Sequence, residues 1–170
     1  MVASEEAVDG AAETAGWWLD LYRRRYDATV RLAGLVAGDF QAGEEIAQEA
    51  FARLYAAGER VRDPDRYLTG TVVNLCRSFV RRAIRGRSLL GRLRPPGAAG
   101  GFEDTVGDRS VVLDALRRLP GRQREAVVLR YYAGAGETEM AAMMGVSVSS
   151  AKTHLRRGMA KLSEQMEARQ

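Results

Sequence analysis

The sequence predicts an all-α fold of two small helical domains joined by a flexible linker, with a helix-turn-helix near the C-terminal end. Three observations predict it. Apolar residues recur at spacings of three and four, a Gly/Pro-containing stretch at 86–110 separates two groups of such segments, and Gly145 divides a short apolar segment from a long basic one. The 170 residues are 46% hydrophobic and 28% charged, the balance of a folded chain rather than a disordered one.

Residues 1–16 are small and acidic, broken by Gly10 and Gly16, and are expected to form a loose tail. From Trp18, the positions Leu19, Tyr22, Tyr26, Val30, Ala33 and Val36 mark a helix with one buried face, and a turn follows near Gly38 and Asp39. A second helix is predicted from about Ala42 to Tyr55. Ile46, Ala47, Ala50, Phe51, Leu54 and Tyr55 share one face, while Glu44, Glu45, Gln48, Glu49 and Arg53 lie largely on others. Its acids sit toward the N-terminus, where the helix dipole favours them. Glu59 to Arg66, containing Pro64, is expected to be a loop, and a third helix runs from Tyr67 through Leu68, Val72, Leu75 and Phe79 to Ile84. Arg77, Arg81 and Arg85 recur every four residues on it, flanked by Arg82.

The first domain is thus expected over 17–86, the linker over 87–110 and the second domain over 111–170. The stretch 86–110 holds five glycines after the first, with Pro95 and Pro96 adjacent, so little fixed core is expected between the halves. Val112, Leu113, Leu116 and Leu119 pack before Pro120, and a helix through Ala126, Val127 and Leu129 to Tyr132 ends at Gly134 and Gly136. Thr138 is expected to cap a short helix with Met140, Ala141 and Met144, and a last helix runs from about Ser149 to Met166.

That last pair has the layout of a helix-turn-helix. On its second helix Ala151, Leu155, Met159 and Leu162 are expected to face the core. Ser149, Ser150, Lys152 and Thr153 are the candidates for base edges in the major groove, and Arg156, Arg157 and Lys161 for phosphates. Two packed helices with a solvated basic face would show the same pattern.

The formal charge of +4 is unevenly spread. The first twenty residues carry five acids and no base, whereas Val73 to Arg94 carries seven arginines and no acid. Such a field suits DNA, RNA, an acidic protein or a membrane surface alike. Cys76 is the only cysteine, which excludes an internal disulfide and a cysteine zinc cluster, and its apolar neighbours predict a buried thiol. His154 is the only histidine and has no carboxylate or cysteine pattern around it, so no metal is expected. Gly134 and Gly136 lack the lysine and serine of a phosphate loop, and no cofactor or catalytic site is expected. No apolar run is long enough to span a bilayer and no secretory signal is evident, so a cytoplasmic protein without membrane insertion is expected.

Four stretches occur in order: GEEIAQEAFARLY at 43–55, DPDRYLTGTVVNLCRSFVRR at 63–82, LRRLPGRQREAVVLRYYAG at 116–134 and EMAAMMGVSVSSAKTHLRRGMAKL at 139–162. Together they resemble the bacterial sigma factors of the extracytoplasmic-function type, which hold only the second and fourth conserved regions of the sigma-70 superfamily; the resemblance covers about 19–166. It implies a first domain that binds core RNA polymerase and helps open promoter DNA, and a second that recognises the upstream promoter element. It further implies that Glu44, Glu45, Gln48, Glu49 and Arg53 contact the polymerase and that the loop Glu59 to Arg66, with Arg62, is a specificity loop. Asn74 would read an exposed downstream base, and Arg77, Arg81 and Arg82 would hold phosphates as strands part. An inhibitory anti-sigma protein is implied as a candidate partner. The chain departs from the commonest pattern at Thr69 and Gly70 and again at Ser150, Ala151, Thr153 and His154, which leaves its promoter preference its own. From the residues alone, a stand-alone dimeric helix-turn-helix regulator and a basic protein-interaction module remain alternatives.

Overall fold

In the computed structural model the chain is described over residues 3–89 and 107–168, with side chains described within 16–86, Glu59 excepted, and 111–168. Helices α1 (Ala3–Ala37), α2 (Phe40–Ala57) and α3 (Pro64–Leu89) form the first group, with a 3-10 turn at Gly58–Arg60. Helices α4 (Gly107–Arg117), α5 (Gly121–Tyr131), α6 (Glu137–Met144) and α7 (Val148–Glu167) form the second. Most of the expected linker, 90–106, lies outside the described residues.

Two boundaries differ from the sequence reading in ways with clear causes. α1 begins at Ala3, where a loose tail is expected. Alanines at 3, 7, 11, 12 and 15 have the best helix propensity, and the early acids suit the positive end of the dipole, which together offset Gly10 and Gly16 at about 1 kcal/mol each. α3 begins at Pro64 rather than Tyr67, because proline is well suited to a first helical position.

The α1–α2 corner is built by three residues. Gly38 takes a left-handed φ of 73°, and Asp39 then caps α2, its carboxylate accepting from the N–H groups of Gln41 at 3.0 Å and Ala42 at 3.3 Å. Beyond the corner the helices cross closely at glycine. A Cβ on Gly43 would lie 2.8 Å from the Val30 carbonyl oxygen, and one on Gly34 would strike the Phe40 ring. Phe51, Leu54, Leu68, Val72 and Cys76 fill the core beneath, with Trp18, Tyr22 and Tyr26 stacked along α1 over Phe51.

In the second group Gly145, at φ 63°, ends α6, and the Ser147 hydroxyl caps α7 by accepting from the Ser150 N–H at 3.2 Å. Gly136, not Thr138, stands at the α6 N-cap, and Thr138 is exposed inside the helix. On α7, Ala151 and Gly158 are the buried positions and Met159 is 38% exposed, contrary to expectation. α7 crosses α5 so closely that a Cβ on Gly158 would come within 2.8 Å of Val127 Cγ2, which turns the neighbouring Met159 outward.

The two groups share a core, which the Gly/Pro linker does not suggest. Leu116, Leu119, Val127 and Val128 join the cluster built by α1, α2 and α3, and Val73 of α3 joins the cluster built by α5, α6 and α7. The Tyr132 hydroxyl donates to the Ala28 carbonyl across the boundary at 3.3 Å.

Among the described residues no helix is long and apolar enough to cross a membrane.

Two outcomes follow from this packing. Gly38→Ala destabilises the fold by at least about 1–2 kcal/mol, since a left-handed backbone is strained for alanine and the new Cβ meets the Arg124 guanidinium at 3.0 Å. Gly70→Ala, a helix-interior glycine with open space around it, stabilises by about 0.5–1 kcal/mol, so urea midpoints should move in opposite directions. Burial pushes the Cys76 thiol up to about 12, so folding holds it neutral and this contribution to stability is present below pH 9 and lost as pH climbs toward 12. Alkylation of Cys76 at pH 8 should therefore follow unfolding, and rapid labelling of the native chain would contradict the buried assignment.

Candidate nucleic-acid interface

Three surfaces carry the residues singled out from sequence. On α7, Ser149, Lys152, Arg156, Arg157 and Lys161 are exposed and Ser150 and Thr153 are half-buried. Two of the expected base readers are partly occupied. The Thr153 hydroxyl donates to the Ser149 carbonyl at 3.0 Å, and Ser150 belongs to the cap, its hydroxyl accepting from that of Ser147 at 2.9 Å. Lys152 pairs with Glu137 of α6 at 3.1 Å, an exposed bridge weak enough to exchange for another anion.

On α2, Glu44, Glu45, Gln48, Glu49 and Arg53 form one exposed polar face. Tyr26 donates to Glu44 at 3.3 Å and Arg53 to Glu49 at 2.8 Å. Beside this face Trp18, Leu19, Ala52 and Tyr55 line an open apolar groove, and Tyr55 is 56% exposed although the periodicity puts it on the buried side.

On α3 the arginine stripe divides. Asn74, Arg81 and Arg82 face outward, with Arg81 donating to the Ser78 hydroxyl at 3.2 Å, and Arg62 is exposed in the bend before the helix. Arg77 instead turns into the second group. Its Nε and Nη2 donate to Glu125 Oε1 at 3.2 and 3.0 Å, and Nη2 donates also to the Met143 carbonyl. The other oxygen of Glu125 accepts from Arg122, which donates as well to the Met144 carbonyl.

Glu125 and Arg124 are buried charged residues that the sequence reading passes over. Burial pushes the Glu125 carboxyl above the usual carboxylate range even though Arg77 and Arg122 pull the other way. Burial likewise lowers Arg124, whose guanidinium donates to the carbonyls of Val36, Ala37, Arg117 and Leu119. The available signal is their position: both directly precede the apolar run Ala126–Leu129 on the same helix.

Among the described residues no three His, Cys, Asp or Glu side chains come together as a metal site of those ligands would require. A helix-turn-helix with a basic second helix, joined to a helical domain carrying an arginine stripe and a separate acidic face, defines a DNA-binding protein that also offers a surface for a protein partner. Residues 21–86 match the family model of Sigma-70 region 2 and residues 109–162 that of Sigma-70, region 4. The chain is 31% identical to the RNA polymerase sigma-E factor of Streptomyces coelicolor over 150 residues, 86% of this chain and 84% of the relative. It is 26% identical to the ECF RNA polymerase sigma factor SigL of Mycobacterium tuberculosis over 152 residues, 85% and 86% of the two chains. Among solved structures, the fold resembles the sigma factor RpoE in complex with the anti-sigma factor NepR from Bartonella quintana, with a TM-score of 0.72 at 19% identity over 87% of this chain and 97% of that one. It also resembles CnrH in complex with the cytosolic domain of CnrY, with a TM-score of 0.66 at 23% identity over 95% of each chain.

The chain belongs to the sigma-70 superfamily as a sigma factor of the extracytoplasmic-function type. It acts by binding core RNA polymerase and promoter DNA, and is not an enzyme.

Replacing both Arg156 and Arg157 with alanine should weaken duplex binding and reduce the slope of log affinity against log salt by about 2, since each phosphate contact contributes about 0.9 to that slope. Both side chains are exposed, so helicity should not change. An unchanged slope in a salt titration would remove them from the phosphate-facing surface.

Proposed function

We propose that the three surfaces divide the work of promoter opening. The polar face of α2, with Glu44, Glu45, Gln48, Glu49 and Arg53, docks on core RNA polymerase, and the apolar groove beside it extends that contact. Arg62, Asn74, Arg81 and Arg82, joined by Arg77, engage the downstream element as it melts. Ser149, Ser150, Lys152 and Thr153 reach base edges of the upstream element, while Arg156, Arg157 and Lys161 hold its phosphates. The observation that carries this reading is that the α2 face, the outer α3 residues and Ser149, Lys152, Arg156, Arg157 and Lys161 of α7 are all exposed, with weak surface pairing at Arg53 and Lys152 to set aside.

The domain limits 17–86, 87–110 and 111–170 belong to the same proposal. So does an anti-sigma partner, supported by the likeness to a sigma factor solved in complex with the anti-sigma factor NepR, and a cytoplasmic location, where polymerase and promoter are met. Initiation from a promoter library by purified core polymerase plus this chain tests the reading as a whole. A chain that binds duplex sites but directs no polymerase-dependent start would instead be a stand-alone regulator.

Asn74 gives the sharpest residue-level test. Its exposed amide can both donate to and accept from an unstacked base, so Asn74→Ala should leave helicity and polymerase binding intact and impair open-complex formation. On promoters varying one downstream base at matched occupancy, the loss should fall on one base. An equal loss on every base would sink base reading at Asn74.

A further inference from the structure

We infer that Glu137 is a positioning residue for base reading: it holds the Lys152 ammonium in one direction and keeps it off phosphates, so that the pair selects guanine at one position of the upstream element. The inference rests on the reading above that Lys152 reaches a base edge. Glu137 stands in the first turn of α6 and Lys152 in the second turn of α7, and their side chains meet at 3.1 Å across the two helices of the helix-turn-helix. Among the described residues, Lys152 is the one lysine or arginine of α7 paired with a carboxylate, while Arg156, Arg157 and Lys161 stand exposed without one. Two hydroxyls beside it are turned to the helix itself, Ser150 toward the Ser147 cap and Thr153 toward the Ser149 carbonyl. Lys152 is thus the charged side chain with a set direction in the stretch that would enter the groove.

A lysine ammonium carries three donors. One bond to Glu137 leaves two, and the major-groove edge of guanine offers two adjacent acceptors, O6 and N7. On guanine the ammonium is therefore satisfied without leaving the carboxylate. Adenine replaces one of those acceptors with an amino donor, and a phosphate can be engaged fully only by breaking the pair. Loss of the pair would free Lys152 for phosphates of any sequence, at the expense of the one base it faces. A carboxylate in the first turn of α6 also favours the helix dipole, but that role is blind to DNA sequence.

The test uses the full chain with core polymerase and a duplex library randomised over the upstream element, bound sequences being counted for the parent, Glu137→Gln, Lys152→Ala and the double variant. The parent should prefer guanine at one position, and Lys152→Ala should lose that preference. Glu137→Gln, a near-isosteric change at an exposed position, should keep helicity and reduce the guanine preference about two- to fivefold, the factor that an exposed ion pair supports. On a duplex of scrambled sequence the free E137Q chain should bind more tightly, its slope of log affinity against log salt steeper by up to about 0.9 as one more ammonium reaches phosphate. In the Lys152→Ala background, Glu137→Gln should change neither preference nor slope. A guanine preference that survives Lys152→Ala would sink base reading by Lys152, and the inference with it. Loss of the preference in Lys152→Ala but not in Glu137→Gln would overturn positioning by Glu137 alone and leave base reading standing. An effect of Glu137→Gln that persists without Lys152 would also overturn it, since Glu137 would then act through the helix end or by repelling DNA directly.

Discussion

The guanidinium of Arg124 is the contact on which the arrangement of the two helical groups depends. Its nitrogens donate to the carbonyls of Val36 and Ala37 at the end of α1 and of Arg117 and Leu119 at the end of α4. A helix leaves its last carbonyls without internal partners, and a buried helix end without donors is costly. One planar cation with five donors satisfies two such ends at once. The helix dipoles make those ends partly negative, so the buried charge is met by oriented carbonyls without a carboxylate among those four bonds. Gly38 is drawn into the same arrangement, because its missing Cβ leaves the space the guanidinium occupies.

Much of the fold was legible from local rules. The periodicity places α1, α2, α3 and α7 within a few residues except at the start of α1, and Gly38, Asp39 and Gly145 mark their turns for stated stereochemical reasons. The candidate interface was partly legible, in that exposed polar faces on α2 and α7 follow from the same patterns. The rest was not, because periodicity tells which face of a helix is buried and not against what. Arg77 meets Glu125 across 48 residues and Met143 across 66, and Arg124 meets Val36 across 88. No local pattern distinguishes an arginine bound for such a partner from one bound for solvent; Arg77, Arg81 and Arg85 look alike in sequence. Met159 departs from its periodicity for a related reason, since the glycine beside it, at 158, takes the close approach to α5 that an apolar side chain would otherwise fill.

The chemistry of the shared boundary bears on how firmly it holds. Burying Glu125 with two arginines returns much of the Coulomb attraction as lost hydration, which is why its carboxyl sits above the usual range despite both cations. Such a pair fixes how two surfaces meet more than it adds to the strength with which they do. Val73, Val127 and Val128 supply the apolar part of the contact, which is non-directional, and the polar groups add direction to it.

A boundary of this kind is suited to opening by an anion. Arg77 leaves Glu125 at little net electrostatic loss only if Glu125 keeps another partner, and Arg122 already occupies its second oxygen. An anion that took the Arg77 guanidinium would therefore not strand a fully unpaired carboxylate in the protein. Arg124 differs: were its guanidinium drawn away by an anion, the backbone carbonyls it serves at the ends of α1 and α4 would lose their donor.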